Sequence, residues 1–170
     1  MRYPGQLLVA LLAGAVGIAA GPWVVPASAQ EAVFVVRHAE RLDDSGDSPL
    51  SAQGLARAVR LADQLRDARI TAIFVTQFVR TADTAKPLAD RLGLPPQRVP
   101  AVQTLDLITK MRALGPHARV LVVGHSDTVA KILSGLGWTE PVTIARDEYD
   151  NLFVVLPRAA TAPTVVRLRY

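Results

Sequence analysis

Cysteine is absent from the sequence, so no disulfide can brace the fold and its stability must come from the apolar core. Aromatic residues make up only 5% of the chain and are not interleaved with Lys or Arg, and no run of basic residues occurs. A nucleic-acid partner is therefore not expected. The formal charge of +4 is small and dispersed; lysine is scarce, so that arginine supplies most of the cationic groups. Beyond residue 30 no apolar run is long enough to cross a bilayer, and neither an internal repeat nor a second domain is visible. Half of the residues are nevertheless hydrophobic, which excludes a disordered chain and suits one domain with a real core.

The long apolar stretch that does exist lies at the start. Residues 1–29 carry an early charge at Arg2, an apolar run from Leu7 to Ala20 and then Ala27-Ser28-Ala29. That is the anatomy of a secretory signal peptide cleaved after Ala29. Retention as a membrane anchor is the alternative, but Gly14, Gly17, Gly21, Pro22 and Pro26 interrupt the stretch. The expectation is an exported domain, periplasmic or secreted, over residues 30–170, with no stable membrane insertion after cleavage.

Four short runs rich in Val, Ile and Phe read as strands covered on both faces: Ala32 to Val36, Ile70 to Thr76, Arg119 to Gly124 and Asn151 to Pro157. Helical spacing lies between them. Leu55, Val59, Ala62 and Leu65 recur at helical intervals behind Ser51, a suitable N-cap, and further helices are expected over Arg80 to Leu92, Leu105 to Leu114 and Thr128 to Leu136. The alternation predicts an α/β sandwich with a largely parallel sheet, and the tail at Val166, Leu168 and Tyr170 can add an edge strand.

Ligands of open parallel sheets collect outside the carboxyl ends of the strands. "RHAER", "TQFVRTADTA" and "GHSDT" all fall there. Arg37 and Arg80 can grip an anion through paired hydrogen bonds, and His125 lies at a helix start, where free amides favour negative charge. Within such a cage a neutral His38 can attack phosphorus, with the cations around it keeping the imidazole unprotonated. The leaving group needs a proton, for which Asp127, if buried, is the first candidate and Glu40 the second. Each residue also has a plainer reading: Arg37 paired with Glu40 or Asp43, Arg80 with Asp83, Asp127 as a helix cap and Glu40 as a solvated loop charge. His117 falls at the opposite strand end and reads as surface.

"VVRHAER", "DSPLSAQGLARA", "TQFVRTADTA" and "LVVGHSDT" together resemble the histidine phosphatase superfamily, the phosphoglycerate mutase-like group, and more narrowly its short exported or phosphohistidine-phosphatase-like members. The resemblance runs from about Val33 to Leu156, with Arg-Thr-x-x-Thr-Ala beginning 42 residues beyond His38 and Gly-His closing 45 further on. It implies a three-layer α/β/α sandwich, His38 as nucleophile, Arg37, Arg80 and His125 as phosphate ligands, and neither metal nor organic cofactor. It also implies that the Leu50-Ser51-x-x-Gly54 turn opens the first helix. Many members draw their proton donor from a glutamate between the second arginine and the second histidine. From Gly93 to Ala118 this chain has no glutamate, and its one acid there is Asp106. That departure suits a phosphoramidate or acyl phosphate, or a donor role for Asp127. The short length leaves the pocket uncapped, so a phosphorylated small molecule, glycan or protein side chain could serve as substrate.

Two other classes compete. His38-x-Glu40 and His125-x-Asp127 could hold a divalent metal for hydrolysis, although two guanidinium groups would repel it. The same cage could also belong to a non-catalytic protein that binds phosphate or a phosphorylated ligand.

Overall fold

The computed structural model describes residues 30–158 and 160–170. The signal-peptide reading of residues 1–29 falls outside them. Among the described residues no helix is long and apolar enough to cross a membrane.

The chain runs β1 (Ala32–Arg37), α1 (Ala52–Gln64), β2 (Ala72–Val75), α2 (Val79–Leu92), β3 (Gln97–Arg98), α3 (Thr104–Arg112), β4 (Arg119–Gly124), α4 (Ser126–Gly135), β5 (Asn151–Leu156) and β6 (Thr164–Arg169). One six-stranded sheet has the order β3-β2-β4-β1-β5-β6. Its first four members are mutually parallel, while β5 and β6 each join antiparallel. The expected α/β/α sandwich with a largely parallel sheet is therefore present, and the tail supplies the edge strand β6.

Strand pleating divides the core into two layers. Val33 and Val35 face α3 and α4 in a cluster with Ile108, Met111, Ile132 and Leu133. Phe34 and Val36 face α1 and α2 in a cluster with Leu61, Ala62, Leu88 and Ala89.

The buried stripe of α1 corrects the sequence reading. Leu55 and Val59 are 53% and 49% exposed, and the helix buries Gly54, Ala58, Leu61 and Ala62, with Leu65 at its C-cap. The cause is close approach: a Cβ at Gly54 would collide with the carbonyl oxygen of Glu40. The small-residue face must meet the loop after β1, which turns the larger apolar residues outward. Strand β3 went unread because two exposed polar residues, Gln97 and Arg98, carry no apolar pattern.

The sheet also places the site. Arg37 of β1 lies beside Gly124 of β4 in parallel register. The chain leaves β1 for α1 on one face and leaves β4 for α4 on the other. A crevice opens where neighbouring strands diverge in this way.

Candidate active site

His38 and His125 are each the first residue past their strands, and His38 N–H donates to the Gly124 carbonyl at 2.9 Å. The register thus brings the two imidazoles to 5.2 Å between ring centroids.

His38 is 4% exposed. Its Nδ1 lies 2.7 Å from the Ala39 carbonyl oxygen. A carbonyl can only accept, so Nδ1 carries the proton and Nε2 of the neutral ring keeps its lone pair. Burial is the main reason the ring stays neutral. The Ala39 carbonyl favours the charged form, but burial together with His125, Arg80 and Arg37 pushes the His38 pKa down to about 3. His125 is pushed down to about 4 by burial first and then by Arg80 and Arg37, against a raising effect of Asp127.

The two arginines are held in the same manner. Arg37 uses Nη1 on the carbonyls of Ala145, Arg146 and Glu148 at 3.0, 2.9 and 3.1 Å, and its guanidinium lies 4.0 Å from the Tyr149 ring centroid. Arg80 uses Nη1 on the Gly46 carbonyl at 3.0 Å and lies 4.2 Å from the Phe78 ring centroid. In both, Nε is buried without a protein acceptor. An anion lying across the Nε–Nη2 edge would supply one, in the paired geometry that suits phosphate. Neither guanidinium is paired with a carboxylate among the described residues, so the pairings of Arg37 with Glu40 or Asp43 and of Arg80 with Asp83 do not form.

The Arg-Thr-x-x-Thr spacing acquires a physical meaning here. Thr84, one helical turn after Arg80, accepts from the Ala39 N–H at 3.0 Å and ties α2 to the loop of His38. Thr81 donates to the Phe78 carbonyl at 2.8 Å and accepts from the Thr76 N–H at 3.0 Å. Thr76 Oγ1 in turn lies 3.0 Å from His125 Nε2. One helix therefore supplies the Arg80 cation and fixes both imidazoles.

The two proton-donor candidates do not meet their premises. Asp127 is not buried: its side chain is 69% exposed and faces Lys131 at 3.5 Å. Nor is it the cap of α4, because His125 holds that position and Thr128 Oγ1 accepts from the His125 N–H at 2.7 Å. Glu40 is not a solvated charge; with Arg57 it forms a bidentate pair at 2.6 to 2.9 Å in which both side chains are 13% exposed. Burial alone would raise its pKa, but the Arg57 hydrogen bonds and charge hold it below the ordinary carboxylate value, which opposes a donor role. Asp106 pairs with Lys110 along α3.

These orientations also undo the metal reading. Glu40 and Asp127 turn to Arg57 and Lys131, and among the described residues no three His, Cys, Asp or Glu side chains gather to hold an ion. His117 is exposed, as expected.

Sequence reasoning missed Tyr149, Phe78 and Thr76. Tyr149 stacks on Arg37 and lies 6.1 Å from the His38 ring, yet it arrives on a loop before β5 that has no periodic or motif signal. Phe78 lies edge-on to His125 at 5.3 Å.

The family model described as histidine phosphatase superfamily (branch 1) matches residues 33–107, the segment that carries Arg37, His38 and Arg80. Over that segment, less than half of the chain, the sequence is similar to the histidine phosphatase superfamily. "Probable phosphoglycerate mutase GpmB" of Yersinia enterocolitica is 35% identical over 82 residues, which are 44% of this chain and 38% of that protein. The match thus spans about two-fifths of the length of this curated relative. Among solved structures, the protein histidine phosphatase SixA complexed with tungstate superposes with a TM-score of 0.66 at 23% identity, over 81% of this chain and 96% of that one. The α-ribazole phosphatase from Shigella flexneri gives 0.66 at 14% identity, over 82% and 96%. At such identity these two structures speak for the fold, and the fold extends the likeness past residue 107 to the strand that delivers His125.

Proposed function

We propose that this protein is an exported, cofactor-independent phosphatase that hydrolyses its substrate through a phosphohistidine on His38. The observation that carries the reading is the buried, neutral imidazole whose Nδ1 is fixed on Ala39, leaving Nε2 unprotonated beside His125, Arg37 and Arg80. In this mechanism Nε2 attacks phosphorus in line with the departing group, and the N–P bond forms as the P–O or P–N bond breaks. Arg37 and Arg80 take the charge that spreads over the phosphoryl oxygens through edges already free of protein carboxylates, so little reorganisation is needed as the reaction proceeds. His125, held through Nε2 by Thr76, stands beside the same oxygens. Water then opens the phosphohistidine and returns His38 to its neutral form.

The names of the relatives, a phosphoglycerate mutase and phosphatases of protein histidine and α-ribazole phosphate, support phosphoryl transfer as the class. Substrates proposed here are phosphorylated small molecules, glycans or protein side chains. The test is a screen of the purified protein against phosphomonoesters, phosphoramidates and phosphorylated sugars, with His38→Ala as the blank. Turnover that disappears in the variant supports the proposal. Reversible stoichiometric binding of phosphate without turnover would replace it with the non-catalytic binder.

A further inference from the structure

The loop between α4 and β5 carries an uncommitted carboxylate in a depression that adjoins the site through Tyr149. Residues Ala145 to Glu148 form a tight turn, closed by the Glu148 N–H donating to the Ala145 carbonyl at 3.1 Å and the Ala145 N–H donating to Glu148 Oε2 at 2.9 Å. Two anchors hold it. Arg37 Nη1 binds three of its carbonyls, and the Glu148 carboxylate is drawn to Arg169 at 2.8 Å and Arg167 at 3.3 Å. Asp147 stands between these anchors, two residues before Tyr149, and shares with Tyr149, Arg41 and Arg146 the wall of a depression of about 460 Å³.

Every other acid near this depression is engaged. Asp43 accepts from the Ser45 N–H at 2.9 Å, and Asp44 lies between Arg41 at 2.7 Å and Arg146 at 3.5 Å. Asp47 accepts from the Val79 N–H at 2.8 Å, and Glu40 is locked on Arg57. Among the described residues Asp147 is exposed and has neither an ion pair nor a side-chain hydrogen bond, and the carbonyls on either side of it, of Arg146 and Glu148, are held by Arg37.

We propose that Asp147 is the acid–base residue of the reaction, resting on the phosphohistidine mechanism above. In the first half its carboxyl gives a proton to the leaving-group oxygen as the P–O bond breaks and the His38 Nε2–P bond forms. A phosphate dianion entering beside it favours the protonated carboxyl that this step requires. In the second half the carboxylate takes a proton from the water that attacks phosphorus, the N–P bond breaks, and phosphate departs with the acid restored. Because the carbonyls of this turn are bound to Arg37, the phosphate ligand and the acid move as one unit.

The test compares kcat/KM for an alkyl phosphate and for p-nitrophenyl phosphate in the wild type, Asp147→Asn, Asp147→Glu and Asp127→Asn. Asp147→Asn should lose about a hundredfold on the alkyl ester, whose alkoxide needs the proton, and little on the nitrophenyl ester. With the nitrophenyl ester it should also accumulate the His38 adduct, because hydrolysis has lost its base. Asp147→Glu should recover part of the alkyl activity. Equal losses on both esters, or the same split in Asp127→Asn instead, would overturn the assignment while leaving the nucleophile in place. A wild type that turns over neither ester and forms no adduct would overturn the proposed function itself.

Discussion

Replacing His38 with asparagine removes a titrating group from a position that is 4% exposed and keeps a polar side chain there. The ordinary histidine value of 6.5 applies to the unfolded chain, whereas in the folded protein burial leads the effects that lower His38 to about 3. Between these values the unfolded state binds a proton that the native state refuses. Stability from the neutral imidazole is complete above pH 6.5, falls as the pH drops, and is fully lost near pH 3. At about pH 4.5 the lost share is roughly two pH units' worth, or between about 2 and 3 kcal/mol. His125 adds a loss in the same direction and of similar size, because about pH 4.5 lies above its lowered value of about 4 as well. Urea unfolding in phosphate-free buffer at about pH 7.5 and about pH 4.5 measures this. The wild type should lose more stability than His38→Asn between the two, by about that amount, because carboxylate contributions are common to both. Equal losses would show that His38 is not held neutral by the fold, and would remove the basis for its nucleophilicity.

Three further substitutions test the scaffold. Thr76→Val should cost about 1 kcal/mol and lower kcat more than it raises KM, because His125 Nε2 loses its partner while the cage keeps its shape; an unchanged kcat would contradict the positioning role. Arg57→Met should destabilise by about 3 kcal/mol in thermal or chemical unfolding, since it leaves the Glu40 carboxylate 13% exposed and unpaired. Adding Glu40→Leu should restore part of that loss, and no recovery would argue against a coupled pair. Gly54→Ala should cost about 2 kcal/mol and reduce turnover, because the new methyl meets the Glu40 carbonyl two residues from His38; wild-type stability would show that α1 can shift freely.

The parts of this molecule legible in the sequence were those that repeat a simple physical pattern. Continuous valine-rich apolar runs identified β1 and β4 because both of their faces are covered, and that in turn placed His38 and His125 at neighbouring strand ends. The stripe of α1 was misread because hydrophobicity alone favours Leu55 and Val59, whereas the packing distance set at Gly54 selects the small face. Asp127 was expected to be buried because it lies two residues from His125. On a helix that offset turns its side chain away from His125 and toward Lys131. Tyr149 reaches Arg37 on a loop anchored by the carbonyls of Ala145, Arg146 and Glu148, and backbone carbonyls carry no residue identity that a sequence could reveal.

The most direct measurement is a rapid chemical quench during the first turnover of a labelled phosphate ester, followed by acid and alkali treatment and mapping of the modified peptide. An acid-labile, alkali-stable phosphoryl group on His38 of the wild type, absent from His38→Ala, is the expected result. Turnover with no such adduct, or an adduct that persists in the variant, would contradict it.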